Sequence, residues 1–356
     1  MPLDCGRTRD QDLPSAGTGP ISADLRRAVR GIGRFLLRKL IYGLAVLAGI
    51  NLLTFVLFFQ LNTPDDMARL QLGGKRVSAE AIEKWKAERG YDRPLYWNDA
   101  QRGSAQLSDT VFFESSLRMF AFDFGRADSG RDIASEIKRR AFPSLALAIP
   151  TFVVGLGLSI ALALGLAFFR ASYVDFWGSV ACVVLMSISS LFFIVAGQFL
   201  FSRLLQLVPV SGFSPEADTW RFLVLPIGIA IVARLGAETR FNRSVFLEEI
   251  GKDYVRTARA KGLAETRVLF VHVLRNALIP ILSASVAVIP LLFMGSLITE
   301  SFFSIPGLGS YLIEAIGAQD FAIVRAMVFV GSVLYILGLI LTDLSYAVAD
   351  PRIRLQ

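Results

Sequence analysis

The chain has 356 residues, of which 54% are hydrophobic, and a mean hydropathy of +0.54. Soluble globular domains carry about 45–50% apolar residues, so this composition excludes one. The formal charge of +7 does not signal nucleic-acid binding, because the basic residues flank apolar runs, where they set membrane topology.

The N-terminal stretch to about residue 24 mixes Pro, Gly, Ser and charges with no apolar run, and reads as a disordered tail. Arg26, Arg27, Arg30, Arg34, Arg38 and Lys39 follow, so residues 1–33 are taken as tail and basic flank. The first apolar run, residues 40–63, is too long for a signal peptide, and Phe58-Phe59-Gln60-Leu61 does not suit cleavage. Residues 34–63 therefore form a retained first membrane helix. Further uncharged runs of spanning length lie at 141–169, 176–202 and 276–299, each meeting the roughly 20 residues a span needs. Two weaker runs lie at 222–233, extended past Arg234, and at 326–342; a core helix of soluble type also fits these two. The expected fold is an all-α integral membrane protein with six membrane-spanning helices. Residues 64–140 make a polar external segment, residues 141–346 the remaining spans, and residues 347–356 a C-terminal tail.

Charge fixes the expected orientation. The stretch 240–275 carries Arg240, Arg243, Lys252, Arg256, Arg259, Lys261, Arg267 and Arg275, and the tail carries Arg352 and Arg354, whereas 208–220 and 300–320 have no basic residue. The positive-inside rule then puts both termini and the long basic loop in the cytoplasm, and six spans require both termini on one side.

In the external segment, Ser78 is a helix cap for 78–89, with Ala81, Ile82, Trp85 and Ala87 as its apolar stripe. The aromatic stretch 111–124 is broken by Glu114, Arg118 and Asp123 and suits packing on a membrane surface or a partner. In the basic loop, Phe246, Leu247, Ile250, Tyr254, Val255 and Ala258 recur at three- and four-residue steps, which predicts one amphipathic helix over 246–262. Gly262 is its stop, and the small Ala258 and Ala260 would admit a partner backbone. A helix lying on anionic lipid fits the same pattern.

Catalysis finds no foothold. The phosphate loop Gly-x-x-x-x-Gly-Lys-[Ser/Thr] is absent, Gly74-Lys75 lacking the upstream glycine. His272 is the only histidine; it has no second histidine with which to hold a metal, and on a cytoplasmic loop it does not supply the buried Ser/His pair of a serine hydrolase. Cys5 in the tail and Cys182 in a span give no disulfide framework. No catalytic residue and no metal ligand is expected. Carboxylates lie only near span ends, which argues against an ion-coupled secondary transporter. Arg234 and Glu238, four apart, face each other on one helix side. Arg203 and Asp343 sit near span ends. Ser187, Ser189, Ser190 and Gln198 in the third span, and Ser283, Ser285, Ser296 and Thr299 in the fifth, either line a translocation path or pack helices, since small hydroxyl residues do both. Pro143, Pro150, Pro226, Pro280 and Pro290 kink their spans.

The string Asp253-Tyr254-Val255-Arg256-Thr257-Ala258-Arg259-Ala260-Lys261-Gly262-Leu263, with His272-Val273-Leu274-Arg275-Asn276-Ala277-Leu278-Ile279-Pro280, resembles the coupling-loop signature of ABC importer permeases of the oligopeptide/dipeptide/nickel branch. Gly73 with Asp92-Arg93-Pro94-Leu95, Asp123-Phe124-Gly125, Val208-Pro209-Val210-Ser211-Gly212, Glu300-Ser301-Phe302-Phe303-Ser304-Ile305-Pro306-Gly307-Leu308-Gly309 and Asp350-Pro351-Arg352-Ile353-Arg354 extend the resemblance from about residue 34 to the C-terminus. It departs in lacking Glu-Ala-Ala, in the N-terminal tail and in the longer stretch 96–122. The resemblance implies a type I importer permease fold in the bacterial inner membrane. It implies that Asp253, Tyr254, Arg256, Thr257, Ala258, Arg259, Ala260, Lys261 and Gly262 couple the chain to a cytoplasmic ATPase subunit. It further implies a second permease subunit, two ATPase subunits that hold the ATP and Mg, an extracytoplasmic substrate-binding protein, and contact with membrane lipid but no nucleic acid. This chain would hold no cofactor. Glu300, Phe303, Pro306, Gly307 and Gly309 are the external-loop candidates. Peptides are the expected cargo, with nickel chelates or another small solute as the alternative.

Overall fold

The computed structural model describes residues 20–73, 77–214 and 219–349. Apart from one isolated bridge between Arg126 and Asp132, the described residues form only helices and turns. The expectations for residues 1–19, for Gly74-Lys75, and for the Asp350-Pro351-Arg352-Ile353-Arg354 string lie outside them.

Helix α1 runs Pro20–Phe55 and continues through a π-turn to Leu61. It thus starts well before residue 34, inside the stretch expected to be tail. After it come α2 (Pro64–Gln71) and α3 (Ala79–Arg89). Ser78 caps α3 by accepting from the Ala81 N–H at 3.3 Å, and Gly90 ends it at φ +68°, the left-handed stop glycine tolerates. The stretch 111–124 folds as a short helix Val111–Ser116 and a 3-10 turn Leu117–Ala121. It packs on its own chain: Val111 joins Phe55, Phe59, Met67, Ile82 and Trp85 in one buried cluster. The Asn51 amide donates to the Ser116 carbonyl at 3.1 Å.

The second span is α4 (Ile133–Phe168), and the fourth is α7 (Thr219–Ile250). Between them the run expected as one straight third span is broken: α5 (Tyr173–Ser187) and α6 (Ser190–Gly197, wound on to Leu204) meet at 90°. Ile188 is extended at ψ 132°, and Ser189 restarts the helix by accepting from the Leu191 N–H at 3.3 Å. A hydroxyl that offers the backbone a cap competes with the continuing helix, and four small or β-branched residues in a row make that competition effective. The fifth span, 265–302, is also composite: a π-turn Val268–Val273, α8 (Leu274–Val286), a 3-10 turn Pro290–Met294, and α9 (Leu297–Phe302) after Gly295 at φ +70°. Helix α10 (Leu308–Ala318) lies outside, and α11 (Phe321–Ala349) is the sixth span. Among the described residues, five helices are long and apolar enough to cross a bilayer, and the bent α5–α6 pair gives a sixth if it crosses as one span.

Polar links clamp the bundle. The Arg243 guanidinium donates to both Asp175 oxygens at 2.8 and 2.7 Å, tying α7 to the start of α5; a bidentate fork of this kind is geometrically selective. The Asn242 amide donates to Ser159 Oγ at 3.0 Å between α7 and α4. Lys39 and Asp343 pair at 2.8 Å, joining the middle of α1 to the last turns of α11. Arg234 and Glu238 pair at 2.9 Å on the surface of α7.

Helices α5 and α7 touch through Gly236. A methyl group there would collide with the Cys182 carbonyl oxygen and with Met186 and Leu185. Backbone cannot yield as a side chain end can, so Gly236→Val is expected to destabilise the bundle by about 1–3 kcal/mol, the usual cost of overpacking. Thermal unfolding in detergent micelles, compared with a Gly228→Ala control that meets nothing within 4 Å, measures this.

Candidate functional site

The basic loop does not form one helix. Residues 246–250 are the last turns of α7; Gly251 and Lys252 break the chain direction, Lys252 being extended at ψ 153°. A separate short helix, here α12, spans Asp253–Ala260. The hydrophobic periodicity runs unbroken across Gly251-Lys252 because both pieces pack into the same cluster. Val255 and Ala258 point inward against Phe246, Ile250, Val268, Leu269, Val273 and Ala277 from the ends of α7 and the fifth span, with Ala163, Leu164 and Ala167 of α4 beneath. Val255 and Ala277 are fully buried.

The end of α12 is a full Schellman motif. The Gly262 N–H donates to the Arg259 carbonyl at 2.9 Å, the Leu263 N–H to Ala258 at 3.4 Å, and Gly262 sits at φ +78°. Leu263 then packs on the cluster. Arg259 donates from Nε and Nη2 to Glu265 at 3.0 and 2.6 Å, which fastens the helix to the first turn of the fifth span. The Glu265 carboxylate beside it holds the Arg259 guanidinium above its ordinary pKa. Tyr254 OH donates to Glu249 Oε2 at 2.8 Å, and burial pushes its phenol up.

The nine loop residues named from the sequence therefore divide. Asp253, Arg256, Thr257, Ala260, Lys261 and Gly262 are exposed. Ala258 is buried in the chain's own core, Tyr254 is half-buried against Glu249, and Arg259 is engaged with Glu265. Ala258 is thus not the small residue that admits a partner: spacing alone could not tell which face of so short a helix the fifth span would cover.

At the opposite end of the bundle a second constellation appears. Glu300 is fully buried. Its Oε1 accepts from Ser144 Oγ at 2.8 Å and from the Ser296 N–H at 3.0 Å; its Oε2 accepts from the N–H groups of Gly309 and Ser310 at 2.7 and 3.1 Å. Ser144 Oγ in turn accepts from the Leu308 N–H at 2.7 Å. The carboxylate thus sits on the N-terminus of α10, where free N–H groups and the helix dipole favour an anion. Gly295, Gly307 and Gly309 enclose it so closely that a methyl group on any of them would strike Glu300. Phe303 is buried beside Ile305 and Leu147, and its carbonyl accepts from the Gly212 N–H at 2.8 Å.

Of the external-loop candidates, Glu300, Phe303, Gly307 and Gly309 are buried, and Pro306 is exposed. Several path candidates also face inward. Ser283 and Thr299 are buried, Ser296 Oγ donates to Thr299 Oγ1 at 2.9 Å, and Ser285 Oγ donates back to the Ile281 carbonyl at 2.8 Å. Gln198 Nε2 donates to the Val210 and Phe302 carbonyls at 3.1 and 3.3 Å, locking α6 to the outer turn. Ser187, Ser189 and Ser190 are exposed along the α5–α6 break.

The family described as binding-protein-dependent transport system inner membrane component matches residues 140–355, and its N-terminal component matches residues 32–102. The chain belongs to this family. Curated relatives agree along nearly their full length. A Brucella abortus protein named as the permease of a peptide transport system is 32% identical over 325 residues, covering 90% of this chain and 98% of its own. A Brucella suis protein named as a peptide permease is 34% identical over 336 residues, covering 90% and 99%. The glutathione transport system permease protein GsiC of Shigella flexneri is 31% identical over 329 residues, covering 90% and 98%. The protein is a multi-pass membrane permease component.

In this permease Ser144 escaped sequence reading because its partner lies 156 residues away; its neighbour Pro143 was the only signal there. Arg325 escaped too, because the sixth span was drawn from Ala326 to avoid the charge. Glu300→Ala would leave three buried N–H groups without an acceptor. At about 1–3 kcal/mol for each unsatisfied group, it is expected to cost at least about 3 kcal/mol, read as a lowered thermal midpoint of the full chain in nanodiscs. Ser144→Ala, removing one donor to Glu300 and one acceptor for Leu308, is expected to cost less.

Proposed function

We propose that the chain is the permease subunit of an ATP-driven importer of small peptides, and that α12 is its contact with a cytoplasmic ATPase. The observation that carries this is the division of α12 and its glycine turn into an inner face packed on three spans and an outer face of six exposed residues. Such a helix moves only as its spans move, and its outer face has no work within the chain. A push on that face travels through Val255, Ala258 and the Arg259–Glu265 fork into the fourth and fifth spans. The ATP and Mg belong to the partner subunits; this chain supplies no phosphate loop. A second permease completes the path, and a binding protein delivers cargo on the outer side. The basic residues of 240–275 support a cytoplasmic position for the loop and both termini. Peptide cargo is supported by relatives named for peptide and glutathione transport.

Two substitutions test the coupling helix. Gly262→Pro forces φ to about −65° where the chain needs a positive angle and removes the N–H that closes the helix. Asp253→Arg puts a cation at a helix N-terminus and reverses an exposed charge. Both are expected to abolish uptake of radiolabelled dialanine by the assembled importer in proteoliposomes, while the chain inserts normally. Uptake at the unmodified rate by either variant would remove the coupling role.

A further inference from the structure

We propose that the outer face of the chain carries a binding cavity for the free carboxylate of a small zwitterionic ligand, with Arg325 as its floor. A cavity of about 420 Å3 lies between the external segment and the outer end of α11. Arg325, in the second turn of α11, lines it and is only 4% exposed. Its guanidinium stacks 4.8 Å from the Phe59 ring centroid, and Nη2 donates to the Ser115 carbonyl and to Ser116 Oγ at 3.3 Å. Nε is buried and has no hydrogen-bond partner. Among the described residues, no carboxylate pairs with it.

That situation is unusual. A buried cation is costly unless paired, and the neutral partners here meet only part of its donor capacity. The neighbouring carboxylates are already engaged. Asp128 is held by Arg89 at 2.7 Å, Glu114 by Arg93 and by Arg118 at 3.4 Å, and Asp320 accepts from the Asp128 N–H at 2.7 Å. What the guanidinium lacks is one carboxylate, the group a planar fork recognises best, and Arg325 lines the cavity from which one would come.

The rim adds the second half of the recognition. Glu88 and Asp123 line the same cavity, are exposed, and have no ion pair among the described residues; the exposed Arg126 stands beside them, so the rim is mixed in charge. Rim carboxylates above a buried guanidinium suit a molecule with an ammonium at one end and a carboxylate at the other. The volume lies in the range of small-ligand pockets. A short peptide has this chemistry, and the inference rests on the peptide-import reading to that extent. The cavity would be a first stop for cargo arriving from outside, before it enters the membrane.

The test is calorimetric titration of the full chain in nanodiscs with dialanine, with dialanine C-terminal amide, and with acetate. Dialanine is expected to bind saturably, and the amide at least about tenfold more weakly, since it withholds the charge that the buried guanidinium needs. Arg325→Met should erase the preference of acid over amide while the chain stays folded, because an apolar side chain of similar length replaces a buried charge without leaving one unpaired. Arg325→Lys should restore part of it. Glu88→Gln should weaken dialanine but not acetate. Equal binding of acid and amide, no saturable binding, or an acid preference that survives in Arg325→Met would each overturn the proposal. The peptide-import reading fails separately: it falls if the unmodified importer does not take up dialanine, whereas uptake without cavity binding removes only the present inference.

Discussion

The mechanical unity of this permease rests on one buried apolar seam. Val255 and Ala258 from α12, Phe246 and Ile250 from the fourth span, Val268 to Ala277 from the fifth and Ala163 to Ala167 from the second share a single close-packed volume. Interiors packed at crystal-like density transmit displacement rather than absorb it. An eight-residue helix in water has little stability of its own. Here tertiary contacts, the Schellman turn and the Arg259–Glu265 fork fix its position on the spans. The exposed residues inherit that fixed geometry, so their presentation depends on core side chains that never meet a partner.

The far end of the bundle is organised by polar rather than apolar chemistry. The Glu300 carboxylate gathers donors from the second span, from the turn before α9 and from the start of α10, and three glycines let the backbone close around it. Gln198 and Gly212 then fasten the bent third span to the same turn. The chain thus has a hydrophobic joint on the loop side and a hydrogen-bonded joint on the other. The third span bends between them, at a point where exposed serines interrupt the helix.

Much of this was legible in the residues. Apolar runs and flanking charges located the spans. Ser78 and Gly262 announced helix ends because capping and left-handed stops are local chemistry, decided within a few residues. The failures are equally physical. Ser187-Ile188-Ser189-Ser190 read as a decorated straight span, since nothing in hydropathy distinguishes a hydroxyl that packs from one that caps. Glu300 read as loop because burial of a carboxylate depends on donors far along the chain. Arg325 stood just before the sixth apolar run, which starts at Ala326; in the folded chain the 111–121 stretch supplies its partners Ser115 and Ser116. Ala258 looked available because an eight-residue helix does not declare which side its neighbours will take.

The separation between Ser144 and Glu300 has a bearing on how the chain is made. Ser144 emerges from the ribosome long before its acceptor. The second, third and fourth spans must therefore enter the bilayer while that hydroxyl and the outer end of α4 await a partner. Closure can come only after the fifth span has threaded and the α10 backbone has followed. A chain ending upstream of residue 300 would hold its earlier spans without this latch.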